Sequence, residues 1–271
     1  MLVLAFDTAT PAVTAALHDG ERVLAESTTV DARRHGELLV PTIETVLREA
    51  GVSLGDVTAV VAGSGPGPYT GLRVGLVTAQ ALATSLGVPA YGVCTLDALA
   101  YGSGLDGPFL VATDARRKEV FWGRYADART RLSGPSVDRP HDLPGDLPLV
   151  GAGARMYAEV LGASRLADAP EYPYAGALAA LAATALGELG TGGSREAGEP
   201  RRTGEPWGTD ASTDASTGTG EPGDADGATG ETAAAGEAEG AGARSVLGPP
   251  LPIYLRRPDA RVPSAPKKVS T

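Results

Sequence analysis

The run Gly63-Ser64-Gly65-Pro66-Gly67-Pro68-Tyr69-Thr70-Gly71-Leu72-Arg73-Val74-Gly75 follows the apolar stretch Val57 to Ala62 and opens a long segment of helical character. Four glycines and two prolines between Gly63 and Gly71 force a fixed, close backbone turn from a buried strand into a helix. A helix start fed by such a loop can bind an anion. No Lys-Ser or Lys-Thr pair follows the glycines, and the G-x-G-x-x-G spacing is absent, so the loop is neither a P-loop nor a dinucleotide fingerprint. Thr70 stands where an N-cap is expected. Beyond it Gly71, Gly75, Ala79 and Ala83 recur every four residues, a stripe small enough for another helix to approach closely.

Upstream, Leu2 to Phe6 reads as a buried strand ending at Asp7-Thr8. A hairpin follows, Val13 to Leu17 and Val23 to Ser27, with Asp19-Gly20 suited to a two-residue type I′ turn. Leu39, Ile43, Val46 and Ala50 then recur at helical spacing from His35 until Gly51 stops the helix. Downstream the pattern restarts: Phe109 to Thr113 is an apolar strand ending at Asp114, and Glu119 to Tyr125 is its hairpin partner. Two strand, acid and hairpin units, each followed by helices, predict two related α/β lobes. A helix near Arg155 to Leu161 and an Ala-rich helix with Leu178, Leu181, Ala185 and Leu189 on one face complete the second.

Between Leu189 and Val246 the only large apolar side chain is Trp207, so that stretch lacks the surface to offset its ordering entropy. Residues 191–245 hold 11 acidic and 4 basic side chains, which places seven of the ten net negative charges in an expected disordered, acidic, low-complexity insert. The predicted organisation is a first lobe at 1–105, a second at 106–190, the insert, and a C-terminal segment at 246–271 that docks back through Pro252-Ile253-Tyr254-Leu255-Arg256. The apolar start ends too early for a signal peptide, and Ala175 to Leu186 is too short to span a bilayer, so a cytoplasmic, membrane-free protein is expected.

Cys94 is the only cysteine, which excludes a disulfide framework and a cysteine-built metal cluster. His18, His35 and His141 include no i, i+4 pair to hold a metal, and Ser64 has no flanking glycines at the positions of a nucleophile elbow. A metallopeptidase reading therefore loses its support, and no metal site is expected. Asp7 and Asp114 each end a strand where a carboxylate can hold a hydrated cation, although turn-opening aspartates are common. Together with Thr8, Gly65, Gly67 and Thr70 they are the candidate nucleotide or phosphate-binding residues.

These segments resemble the bacterial TsaB family, also called YeaZ. Its members open with Asp-Thr-Ser or Asp-Thr-Ala, here Asp7-Thr8-Ala9, and carry a His before the first long helix, here His35 with Leu38, Leu39 and Pro41. Their G-x-G-P-G-S-F-T-G-L-R-x-G signature is Gly63 to Gly75 here, with Pro68-Tyr69 in place of Ser-Phe, and their Pro-x-Tyr-Leu-Arg ending is Pro252 to Arg256. The resemblance implies an actin-like or sugar-kinase-like (ASKHA) fold of two related lobes. It implies a non-catalytic subunit, with no catalytic residues or cofactor of its own beyond weak adenine nucleotide binding. Such a subunit pairs as a heterodimer with TsaD, which forms N6-threonylcarbamoyladenosine at position 37 of tRNAs reading A-starting codons. The ATPase TsaE joins the complex, which uses ATP, a homodimer is the alternative when the subunit is alone, and tRNA is reached indirectly. His35, Leu38, Leu39, Pro41, Ile43, Gly71, Gly75, Ala79 and Ala83 are the expected partner-binding residues. The rival from another class is an active phosphotransferase of the same fold, with Asp7 or Asp114 holding Mg²⁺.

Overall fold

The computed structural model describes residues 1–191 and 246–255. The expected insert therefore lies, past its first residue, outside the described residues, as do Arg256 and the rest of the C-terminus. Among the described residues nine strands form two sheets. The first comprises β1 (Val3–Asp7), β2 (Ala12–His18), β3 (Val23–Val30), β4 (Ala59–Gly63) and β5 (Ala90–Val93), in the order β3-β2-β1-β4-β5. The second comprises β6 (Phe109–Asp114), β7 (Val120–Asp127), β8 (Thr130–Asp138) and β9 (Leu149–Val150), in the order β8-β7-β6-β9. In the first sheet β1/β2 and β2/β3 are antiparallel and β1/β4 is parallel. In the second, β6/β7 and β7/β8 are antiparallel and β6/β9 is parallel. The second sheet thus repeats the first four strands of the first, Asp114 standing where Asp7 stands.

Strand β1 is apolar from Val3 to Phe6 because both its faces are covered. Leu4 and Phe6 meet α1 (His35–Ala50) and α2 (Tyr69–Leu86) through Leu39, Ile43, Val46, Leu72, Leu76 and Ala79. Val3 and Ala5 meet α6 (Ala175–Thr191) through Leu178, Ala179, Leu181 and Ala182. Helix α6 falls within the stretch expected to form the second lobe, yet it packs on the first sheet. Its opening amides, Ala175 N and Gly176 N, donate to Thr14 Oγ1 at 3.1 Å and Glu26 Oε1 at 2.8 Å. Leu178 and Leu181 are buried as the periodicity predicts, whereas Leu189, near the end of α6, is 64 % exposed.

Helix α3 (Thr95–Ser103) joins the sheets, with Leu96, Leu99 and Ala100 packed on Phe109, Val111 and Tyr125. A polar knot locks this junction: Tyr125 OH donates to Asp97 Oδ1 at 2.7 Å, and Arg131 reaches Asp97 Oδ1 at 3.5 Å and Cys94 Sγ at 3.2 Å. Burial pushes the Cys94 thiol up to about 12, so it stays protonated and inert. Short helices α4 (Ala152–Met156) and α5 (Ala158–Leu161) replace the single helix expected near Arg155.

Three local readings differ from the structure. The β2–β3 connection is a four-residue loop, because the Asp19 carboxylate accepts from the amides of both Glu21 and Arg22 at 2.8 Å and only Gly20 takes a positive φ. Strand β8 escapes a pattern reading because Gly134-Pro135 interrupts it, a break that an edge strand tolerates. The third concerns the start of α2, where Pro68 rather than Thr70 occupies the N-cap position and no side chain caps the helix. Residues 246–255 lie on the first sheet as a strap: Gly248 pairs with Gly92 beside β5, and Ile253 N donates to Ser64 O at 2.8 Å. Among the described residues no helix is long and apolar enough to cross a membrane.

Candidate functional site

The Gly-rich loop rests against the β1–β2 turn, and each glycine has a specific reason. A Cβ on Gly63 would collide with the Asp7 carboxylate, and one on Gly67 with the Ala9 carbonyl. Gly65 takes φ +85°. Further along, Thr8 inserts its hydroxyl into α2. It donates to Gly71 O at 2.7 Å and accepts from Gly75 N at 3.0 Å, between two groups that would otherwise bond each other in the helix. A Cβ at Gly71 would stand 2.6 Å from Thr8 O, and one at Gly75 2.6 Å from Thr8 Oγ1. Asp-Thr and the two helical glycines are therefore one device, separated in sequence and joined in space.

Asp7 is buried, with both oxygens engaged. Oδ1 accepts from Ala9 N and Oδ2 from Thr95 Oγ1, each at 2.6 Å. Thr95 Oγ1 in turn accepts from Gly65 N at 3.1 Å, which ties the carboxylate to the loop. Burial raises the Asp7 pKa to about 6, against the lowering effects of the Thr95 hydroxyl, the Ala9 amide and His35. Asp114 is held differently, by Arg116: its Oδ1 accepts from Arg116 N at 2.7 Å and its Oδ2 lies 3.3 Å from Arg116 Nη1.

Of the candidate phosphate-binding residues, Asp7, Thr8, Gly65 and Gly67 thus serve the fold, Asp114 is paired, and Thr70 alone is exposed. Thr70 lines a cavity of about 240 Å³ with Thr8, Thr10, Pro11, Ala32, Arg33, His35, Pro68, Gly71 and Arg116. His35 Nε2 donates to Thr10 O at 2.8 Å, fixing the start of α1 to the β1–β2 turn. Arg33 comes from the first lobe and Arg116 from the β6–β7 turn of the second. In that turn Arg116, Arg117 and Lys118 are all left-handed, at φ 61°, 55° and 61°, which costs an L-residue roughly 1–2 kcal/mol each. Sequence reading passed over Arg33, Thr95 and this cationic triplet. Only the triplet had a visible signal, three adjacent cations directly after the Asp114-Ala115 strand end. Among the described residues no group of three or more His, Cys, Asp or Glu side chains could hold a metal ion.

The expected partner-binding residues also sort by geometry. Leu39 and Ile43 are buried in the core, and Gly71, Gly75, Ala79 and Ala83 are turned onto the chain's own sheet. The small stripe does permit a close approach, and at Gly71 and Gly75 the Thr8 turn makes it. His35 and Leu38 are half-buried and Pro41 is exposed. The outward side of the two helices instead offers Val40, 52 % exposed, and Val77, 61 % exposed.

Two sheets of repeated strand order, each with a strand that ends in an aspartate, define a two-lobed α/β protein. A family model described as "TsaD: tRNA N6-adenosine threonylcarbamoyltransferase" matches residues 22–175, more than half of the chain. The chain belongs to the TsaB family. It is 38 % identical over 174 residues to the Escherichia coli tRNA threonylcarbamoyladenosine biosynthesis protein TsaB, covering 59 % of this chain and 75 % of that protein. It is 50 % identical over 159 residues to an uncharacterized protein of Mycobacterium tuberculosis, 58 % of this chain and 74 % of that one. A Pseudomonas aeruginosa crystal structure, described as similar to the peptidase YeaZ, superposes with a TM-score of 0.60 at 32 % identity, covering 69 % of this chain and 92 % of that one.

Proposed function

We propose that this chain is a non-catalytic scaffold subunit in the formation of N6-threonylcarbamoyladenosine at position 37 of tRNAs that read A-starting codons. It pairs with TsaD as a heterodimer, with TsaE as the complex's ATPase. One observation carries this reading: the acid that a phosphotransferase would offer to Mg²⁺ is spent inside the fold. Asp7 is buried with both oxygens accepting hydrogen bonds, and burial raises its pKa to about 6. A buried carboxylate so engaged is poorly placed to hold a hydrated divalent cation, which favours a role in the fold. Relatives in this family carry the name of a threonylcarbamoyladenosine biosynthesis protein, which supports the pathway.

The pairing face follows from what the structure leaves outside. Helices α1 and α2 contact each other, and each exposes a valine, Val40 and Val77, that its own core does not use. Interfaces gather their energy at such apolar positions once water is excluded. Calorimetry of the pure protein with the TsaD of the same organism tests this. Val40→Glu and Val77→Glu should each weaken pairing tenfold or more, about 1.4 kcal/mol, without a change in far-UV circular dichroism. Unaltered affinity in both variants would move the interface elsewhere, and ATP turnover by the isolated chain would decide for the phosphotransferase.

A further inference from the structure

Beside the cleft lies a surface that the core does not use and that borders the outward side of α2. Tyr69 opens α2, and its ring stacks on Tyr254 of the strap with centroids 5.0 Å apart and planes 23° from parallel. The Arg73 guanidinium sits 4.7 Å from the Tyr69 ring centroid. Both rings keep about two fifths of their surface in solvent, 41 % and 42 %. Pro68 and Thr70, on either side of Tyr69 in the chain, line the cleft together with Arg33 and Arg116. An aromatic platform and cations from both lobes therefore adjoin. Arg116 begins the exposed left-handed run Arg116-Arg117-Lys118. A turn of that shape is the natural place for Gly, Asn or Asp. Arg116 pairs with Asp114 while its side chain stays largely exposed, and positive charge is what the three residues share.

We propose that this surface contacts RNA directly, an unpaired base stacking on the Tyr69, Tyr254 and Arg73 platform while neighbouring phosphates lie on Arg33 and the 116–118 turn. Stacking on aromatic and guanidinium planes beside a cationic track is how proteins take single-stranded nucleic acid. An acidic protein would use the cations and leave the open rings idle. A free nucleotide would need polar groups deeper in the cleft, where Asp7 and Thr8 are already committed. The inference rests on the reading that the chain works in tRNA modification, and it places RNA on this subunit as well as on its partner.

The test is photo-crosslinking of the full-length protein to unmodified tRNA, alone and with TsaD, together with filter binding over a range of salt. Cross-links are expected at Tyr69 or Tyr254. The triple variant Arg116→Gly, Arg117→Asn, Lys118→Gly should weaken binding roughly tenfold near 150 mM salt and lower the log–log salt slope by about 2, at about 0.7 per phosphate contact on a single strand. Its melting temperature should not fall, because Gly and Asn suit the left-handed turn, so unfolding cannot account for the loss. Tyr254→Leu should weaken binding with the salt slope unchanged. Unaltered binding and slope in the triple variant would overturn the proposal. So would intact cross-linking combined with lost TsaD pairing, which would assign the turn to an acidic protein surface. Failure of the wild-type chain to pair with TsaD would sink the scaffold reading instead, and RNA binding by the chain alone is read separately.

Discussion

Asp7 shows how a residue that follows a family motif can be built into the fold by partners distant in sequence. The sequence places it at a strand end, where both a turn role and a cation-binding role are open. The structure adds what no local pattern contains: a Thr95 hydroxyl 88 residues away and a Gly63 whose missing Cβ makes room for the carboxylate. Burial raises its pKa from 3.8 to about 6, so the native state binds this proton more tightly than the unfolded chain does. The resulting stabilisation is full below about pH 3.8 and is lost as pH rises through about 6. At 1.36 kcal/mol per pKa unit it amounts to about 3 kcal/mol. Denaturant unfolding of the wild type should therefore show stability falling across that window. Asp7→Asn, which can give its oxygen to Ala9 and its amide to Thr95, should flatten the profile there. The same slope in both proteins would mean that another group titrates.

Helix α2 is the element in which sequence and structure part most instructively. Its existence and the close approach along Gly71, Gly75, Ala79 and Ala83 were legible in the spacing alone, because a period of four with no large side chain admits a neighbour. Which neighbour was not legible. That depends on the Thr8 hydroxyl inserted between Gly71 and Gly75 and on the side of α2 that β1 and β4 occupy, both products of tertiary packing. The same holds for α6, whose apolar face was readable and whose docking on the first sheet was not. Ala79, fully buried, now distinguishes the two outcomes. Ala79→Glu places an unpaired charge in the core and should cost the fold about 3 kcal/mol or more. Val77→Glu, two positions away on the outer side, should shift stability by no more than about 0.5 kcal/mol. Thermal melting of the two variants compares them directly, and equal melting points would contradict the packing described for α2.

Across the whole molecule, the duplication hinted at by Asp7 and Asp114 is carried by strand order, which repeats as β3-β2-β1-β4 and β8-β7-β6-β9. Sequence alone offered two similar strands and two aspartates, since Gly134-Pro135 hides β8 and β9 is only two residues long. The copies have diverged in what they do with their acids, one buried under a loop and one paired with a strained arginine, and neither acid is presented as an open ligand in the cleft. On the proposed function the chain acts through its partner. The most direct measurement is threonylcarbamoylation of tRNA by reconstituted TsaD and TsaE with and without this chain, and with the Val77→Glu form in its place. Modification should require the chain, fall with Val77→Glu in step with the loss of TsaD pairing, and be absent when the chain is supplied without TsaD. Modification by TsaD and TsaE at the same rate without the chain, or by the chain alone, would contradict it.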